Sequence, residues 1–353
     1  MKTWDVIIIG GGIIGLSLSI ELRKHGASVL VVERGEPGRE ASHAAGGMLV
    51  DCPLETKPAL QPLATASAKM YPEFAYELEV ESGMKVDLRD DGTILFLSEE
   101  HGSRSAQFPS SSIAELEPIL AESNPEETAV YLQERSVDPR ALTAAAWKTA
   151  KNRGVDFSSG DPVTSVNLSD SHASGVTTTK TSFLSEKGVN CAGAWSGQIG
   201  PLSFPTRPVK GQMLCLVMPS RNLIKHVIRS PKAYLIPRSD GRLLVGATVE
   251  EAGFDKRTDL ATIQRLHRAA LELVPKLRDA RILEDWAGLR PGTPDALPIL
   301  GATEIPGYYV ATGHFRDGIL LAPITAKVMA HVIEGAESKY DLKAFSPSRF
   351  TPS

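Results

Sequence analysis

Gly10, Gly12 and Gly15 stand at the spacing G-x-G-x-x-G, between the apolar run Val6-Ile7-Ile8-Ile9 and a stretch that reads as helix. The chemistry this spacing serves is the binding of a dinucleotide pyrophosphate. The first glycine permits a tight turn, the second lets backbone approach the phosphates, and the third lets helix and strand pack closely. The phosphates then sit at a helix N-terminus, where unpaired N–H groups and the helix dipole favour negative charge. Gly26 is placed to end that helix, and residues 27–32 read as a second strand that ends at Glu33. An acid about twenty residues beyond the glycines is where a ribose hydroxyl is bound. At the extreme N-terminus the motif suits FAD, whose long body runs on into the rest of the chain, although NAD is not excluded.

The far end of the chain repeats this logic. Residues 308–312 read as a strand, 313–323 as a glycine-containing turn and 324–334 as a helix. A second helix N-terminus pointed at the cofactor suits the N1/C2=O end of an isoalloxazine ring, which becomes anionic on reduction. The pairing of the two ends favours FAD over NAD.

The elements between have to bring these ends together. Residues 41–47 are small and leave room for backbone amides against a cofactor, though the same composition also describes a flexible loop. Residues 62–82 read as helix, 93–97 as strand, 109–112 as an exposed turn and 113–120 as a short helix. Asp138 is placed as an N-cap and Pro139 as the first residue of a helix that runs to Asn152 and stops at Gly154. Residues 163–168, 172–179, 206–218, 233–236 and 243–247 read as strands, with a hairpin turn at 237–241. A helix over 259–273 ends before Pro275. The string 188–196 reads as an apolar strand ending in Ala192-Gly193-Ala194, a second place where backbone meets a ligand, with Trp195 expected to pack in the core. Residues 286–293 read as a loop with one cation, Arg290, among small residues. The fold class is α/β (α+β, two domains). A Rossmann-type FAD-binding domain of residues 1–50, 135–200 and 285–353 interleaves with a substrate-binding domain of residues 51–134 and 201–284, built on a mostly antiparallel sheet.

The 353 residues, 42% of them hydrophobic, suffice for two sizeable cores. The net charge of −4 and the scattered Lys and Arg residues argue against a nucleic-acid partner. Cys52, Cys191 and Cys215 are odd in number and widely spaced, which fits buried thiols in a reducing compartment and neither a disulfide framework nor a metal site. No apolar run is long enough to span a membrane, and a cytoplasmic location is expected.

Taken in order, several strings resemble the D-amino acid oxidase superfamily of FAD-dependent oxidoreductases, and within it the glycine oxidase group associated with thiamine biosynthesis. They are Ile8-Ile9-Gly10-Gly11-Gly12-Ile13-Ile14-Gly15, Ala45-Gly46-Gly47-Met48-Leu49, Ala192-Gly193-Ala194-Trp195-Ser196-Gly197, Pro208-Val209-Lys210-Gly211-Gln212, Tyr234-Leu235-Ile236-Pro237-Arg238, Val245-Gly246-Ala247-Thr248, Trp286-Ala287-Gly288-Leu289-Arg290-Pro291-Gly292-Thr293, and residues 313–323.

The resemblance implies that non-covalent FAD is held by Gly10, Gly12, Ile13, Ile14, Gly15, Glu33, Arg34, Ala41, Ser42, Gly46, Gly47 and Met48. Val163 lies against the adenine, and the loop of His314, Arg316, Asp317, Gly318, Ile319 and Leu320 completes the flavin site. It implies also that Arg290 pairs with a substrate carboxylate and that Tyr234 and Arg316 line the same pocket. A planar bidentate donor suits a carboxylate on physical grounds as well. Arg207, Arg229 and Arg238 are expected to form surface ion pairs, worth about 0–1 kcal/mol each. Asp317 departs from the asparagine common at its position, and a carboxylate there disfavours a reduced anionic ring.

The implied reaction is oxidation of a small amino acid or secondary amine by hydride transfer from Cα to flavin N5, with O2 or another electron acceptor downstream. Three rivals are a dehydrogenase feeding a quinone or protein, a partner-dependent or RNA-modifying FAD protein, and an NAD(P) enzyme using the N-terminal motif alone. No metal is expected, and homo-oligomerisation is left open.

Overall fold

Valine and isoleucine build the first layer. In the computed structural model, which describes residues 2–98, 113–121 and 129–350, the strands Val6–Ile9 and Val29–Glu33 are buried at every position. They sit inside a six-stranded sheet ordered Ile299–Ala302, Tyr308–Thr312, Gly188–Asn190, Val6–Ile9, Val29–Glu33, Asp156–Ser159. The last five are parallel, and Ile299–Ala302 runs antiparallel at the edge. Alternate residues serve opposite layers. Val6, Ile8, Val29 and Val31 pack with Leu16, Leu142 and Leu321 of the covering helices. Ile7, Ile9, Leu30 and Val32 pack with Val166 and Val176 of a three-stranded antiparallel sheet. A strand covered on both faces needs no polar alternation, which is why these segments read as unbroken apolar runs.

Three helices carry most of the covering layer: Ile13–Lys24, Pro139–Asn152 and Gly318–Glu334. The last starts six residues earlier than the sequence suggests, because Pro323 lies inside it. A proline there leaves the carbonyl four residues back without its usual donor. That carbonyl, of Ile319, accepts the Tyr71 hydroxyl instead. Next to it Ser67 Oγ donates to the Leu320 carbonyl at 2.6 Å. Ser67 and Tyr71 belong to the helix Gln61–Ser82, which buries Leu63, Tyr71 and Leu78 in the same core as Ile8 and Leu321. Although it lies within residues 51–134, this helix therefore packs against Pro139–Asn152 and Gly318–Glu334, in the core that covers the parallel sheet.

The second large sheet has seven strands in the order Arg281–Gly292, Arg207–Val217, Arg242–Gly246, Tyr234–Pro237, Val227–Arg229, Thr93–Phe96, Ala129–Leu132. All neighbours are antiparallel except Val227–Arg229 with Thr93–Phe96. One face, with Leu214, Val245, Leu235, Ile228 and Ile94 in register, packs on the helix Leu260–Leu273. The other face carries Met213, Gly246, Tyr234, Arg229 and Leu95 in one row. Among the described residues no helix is long and apolar enough to cross a membrane.

Two local expectations need correction. Residues 286–293 form no loop, since they end the strand Arg281–Gly292, paired with Arg207–Val217. Their glycines mark close approach: a Cβ on Gly288 would stand 2.3 Å from Ala44 Cβ. Pro291 is tolerated because the strand is an edge. Residues 113–120 form two short helices, Ile113–Leu116 and Pro118–Ala121, with Pro118 opening the second. The turn expected at 109–112 lies outside the described residues.

Asp138 is the expected N-cap, and it does more than cap. One carboxylate oxygen accepts from the Arg140 and Ala141 amides at 2.9 and 3.3 Å, and the other accepts from Arg242 Nη2 at 2.7 Å. Asp138→Ala is expected to cost about 2–4 kcal/mol of unfolding free energy, and Asp138→Asn about 1 kcal/mol less because the cap survives. Equilibrium urea unfolding measures both. Equal losses in the two variants would remove the cap from the explanation.

Candidate active site

The carboxyl ends of the parallel strands and the Tyr234 face of the seven-stranded sheet enclose a cavity of about 1310 Å³. That exceeds the usual range of about 300–1,000 Å³ for a drug-sized ligand. It leaves room for a dinucleotide and a second, small molecule.

At one end the backbone comes forward without side chains. Gly10 has φ +109°, and a Cβ there would lie 2.5 Å from the Cys191 carbonyl. Gly12 is the extended N-cap of Ile13–Lys24, no acid occupies that helix's first turn, and Ser42 Oγ accepts from the Ile13 amide at 2.9 Å. Glu33 is buried, accepting from Gly11 N at 2.7 Å and Gly35 N at 2.9 Å, and burial raises its pKa. It also lines the cavity. Arg34 lies over the Trp195 ring, 4.2 Å from its centroid, beside Val163 in the cavity wall.

In the middle, the segment 41–48 crosses the cavity floor. Gly47 has φ +76° and sits so close to the Val137 carbonyl that a Cβ would lie 2.0 Å from it. The Gly46 carbonyl accepts from Arg238 Nη2 at 2.5 Å. Along the opposite wall run Thr312, His314, Phe315, Arg316, Asp317, Gly318 and Ile319. His314 is buried, bonds Thr325 Oγ1 through Nε2 at 3.2 Å, and is pushed down to about 3 by burial, so its ring is neutral.

Two cations meet at the far end. The guanidinium of Arg290 lies over Gly211, where a Cβ would stand 2.3 Å from Nη1, and it donates to the Thr248 carbonyl at 3.0 Å. Burial lowers its pKa and the Tyr234 hydroxyl beside it raises it. The Tyr234 ring rests on Gly246, burial raises its own pKa, and Arg290 opposes that rise. Arg316 enters from the opposite wall, near enough to disfavour the charge on Arg290. Among the described residues neither arginine has a carboxylate within ion-pair distance. The arrangement offers an anion two cations and a phenol.

Of the residues expected to bind cofactor or substrate, all line this cavity except Gly15 and Leu320. Gly15 lies behind the wall, where a Cβ would meet the Gly10 carbonyl at 2.1 Å. Leu320 is buried in the helix core because the helix begins at Gly318. Three other expectations change. Trp195 is half-buried in the cavity wall, between Arg34 and Phe254, and not in the core. Arg229 is buried and paired with Glu134 at 2.7 Å and Glu55 at 2.8 Å, and Arg238 is fully buried; neither is a surface pair. Arg207 does pair at the surface, with Glu251. Cys191, Ala192 and Gly193 also line the cavity, as the apolar strand ending in small residues had signalled. Met213, Val249 and Glu55 line it too, with no signal in the sequence pattern.

Residues 5–332 match the family described as DAO, FAD dependent oxidoreductase. The glycine oxidase of Geobacillus kaustophilus is 33% identical over 98% of this chain and 97% of its own length. Its crystal structure superposes with a TM-score of 0.93 over the whole of both chains. The bifunctional protein ThiO/ThiG of Trichormus variabilis is 35% identical over 99% of this chain and 55% of its own. The chain thus spans about half the length of the bifunctional relatives it matches. The hydrogen cyanide synthase subunit HcnC of Pseudomonas aeruginosa is 29% identical over 99% of this chain and 97% of its own.

Asp317 is half-buried at the start of the helix Gly318–Glu334, with no side-chain capping bond, and burial pushes its carboxyl up to about 6 against the opposing pull of Arg316 and Lys57. A carboxyl whose folded pKa exceeds the unfolded one costs stability as pH rises from about 4 through 6. The cost approaches about 3 kcal/mol above pH 7. In the ligand-free protein, Asp317→Asn is therefore expected to stabilise the fold at pH 8 and to leave it unchanged near pH 4. Urea unfolding at the two pH values reads this out, and equal effects at both would place the carboxyl in water.

Proposed function

We propose that this chain, which belongs to the family of FAD dependent oxidoreductases, is an oxidase of small amino acids and secondary amines: glycine, sarcosine and small D-amino acids. The observation that carries the reading is the pair of guanidinium groups, Arg290 and Arg316, that face one end of a dinucleotide-sized cavity with no carboxylate within ion-pair distance among the described residues. The glycine oxidase of similar length and fold supports the substrate class.

The residues fit FAD. Gly10, Gly12 and Gly47 bring backbone where a Cβ is excluded or would fill the cradle, and Glu33, Arg34 and Val163 stand at the adenosine end. When bound, FAD supplies a two-electron acceptor for the hydride on the substrate Cα, and O2 returns it to the oxidised state with release of H2O2. Arg290 holds the substrate carboxylate through a charge-assisted fork. The Tyr234 hydroxyl donates to the same carboxylate, and Arg316 adds the second positive charge. The wall of Met213, Ala247 and Val249 leaves little polar contact for a side chain, which favours small substrates. No general base is required. The amine enters neutral, orientation lowers the barrier, and the imine hydrolyses after release to an oxo acid and ammonia, or to an amine from an N-alkyl substrate. The FAD lies against residues of 1–50, 135–200 and 311–319, and the substrate against Met213, Tyr234, Gly246 and Arg290 of the seven-stranded sheet.

Anaerobic addition of glycine, sarcosine or D-alanine is expected to bleach the flavin, and air to restore it with stoichiometric peroxide. Slow recovery in air would assign a dehydrogenase that passes electrons to a quinone or protein. No bleaching by any of them would overturn the substrate class. Arg290→Ala is expected to raise KM about 10- to 150-fold, the loss of a hydrogen-bonded charge of about 1.5–3 kcal/mol, with FAD still bound. An unchanged KM would sink the carboxylate assignment.

A further inference from the structure

We infer that Arg238 is a positioning residue for the flavin: it holds the Gly46–Gly47 peptide with its N–H turned into the cavity, and through that peptide raises the electron affinity of the cofactor. Gly46 and Gly47 line the cavity, whereas Arg238 lies behind them with no exposed surface. The Gly46 carbonyl points back at Arg238 Nη2, 2.5 Å away. The peptide is not among the cis bonds of the chain, so it is planar and trans, and its N–H points opposite to its C=O. With the carbonyl aimed at the buried guanidinium, the Gly47 N–H faces the cofactor space.

Two further contacts stop the peptide from flipping. The Gly47 carbonyl accepts from Val137 N at 2.8 Å, and the Val137 carbonyl occupies the place of a Cβ on Gly47. On the other side Gly46 packs on Ile236, where a Cβ would come within 2.7 Å of Cδ1.

The charge on Arg238 is available to act. Of the two acids that act on it, Asp138 is engaged by Arg242 at 2.7 Å and by two helix amides, and Asp87 by Ser239. Nε and Nη1 of Arg238 have no hydrogen-bond partner among the described residues. Burial lowers the guanidinium to about 10, which leaves it protonated at neutral pH. A cation bonded to a carbonyl polarises the whole amide, so the N–H at its far side becomes a better donor. Such a donor favours the electron-rich reduced ring over the oxidised one, and a buried charge does so at longer range.

The inference rests on FAD being the cofactor and not on the substrate class, so its test uses no substrate. The holoenzyme and its Arg238→Met, Arg238→Gln and Arg238→Lys variants would be purified, and the two-electron midpoint potential and the Kd for sulfite measured. Met and Gln are expected to shift the balance at least tenfold toward oxidised flavin, about 30 mV in potential for a two-electron couple, and to weaken sulfite by a similar factor. Lys, which keeps the charge, is expected to stay within threefold of the parent. Gln keeps a donor for the Gly46 carbonyl, and it decides the matter if the Met variant does not accumulate. Potential and sulfite affinity within threefold in the neutral variants, even with weaker FAD binding or a lower Tm, would leave Arg238 a structural bolt. A Lys variant that behaves like Met would also overturn the charge assignment.

Discussion

The Gly10 carbonyl occupies the space that a side chain at position 15 would need, 2.1 Å from its Cβ. That contact fixes how near the first helix lies to the first strand, and the rest of the site follows from it. With the helix drawn in, its N-terminus opens at the carboxyl end of Val6–Ile9, and parallel pairing puts Glu33, Cys191 and Thr312 at the same edge. The helix Gly318–Glu334 starts at that edge from the other side. A cavity long enough for a dinucleotide results because several chain reversals sit along one line, each made where side chains are small or absent.

Burial then sorts the arginines that face this cavity. Arg229 is neutralised by Glu55 and Glu134, so its charge is used within the protein. Arg34 spreads its charge over the Trp195 ring. Arg290 bonds carbonyls beside a phenol, with Glu250 acting at longer range, and Arg316, opposite, adds repulsion. Burial makes the Arg290 charge costly, as its lowered pKa shows, whereas Arg316 is exposed to the cavity. Asp317 supplies little relief because burial keeps much of it protonated up to about pH 6.

Local chemistry was the legible part of the chain. The glycine turn, the end of the first helix at Gly26, the Asp138 cap with Pro139 behind it, and the hairpin at 237–241 all depend on residues within a few positions of one another. What could not be read depends on distant partners. The strand at 286–292 looked like a loop because Gly288 answers to Ala44, Gly292 to Val209, and its proline to an edge. Pro323 looked like a helix boundary because its remedy, Tyr71, lies 248 residues from the carbonyl it rescues. Arg229 and Arg238 looked like surface ions because Glu134 and the Gly46 carbonyl are 95 and 192 residues away. Most of the site was legible because glycine, arginine and small residues betray close approach wherever they fall.

The strand Tyr234–Pro237 and the residue after it show how one end of the cavity is held in register with its middle. With a period of two, Tyr234, Ile236 and Arg238 face the same way. Tyr234 stands beside Arg290, Ile236 touches Gly46, and Arg238 holds the Gly46 carbonyl. Five consecutive residues therefore tie the Arg290 end of the cavity to the Gly46–Gly47 segment, and moving the two sheets apart there would break the Arg238 bond. The spacing between the Arg290 end of the cavity and the Gly46–Gly47 backbone is thus set along one strand. The width of the cavity is set by walls outside that strand, where Met213, Val249 and Glu55 border the same space.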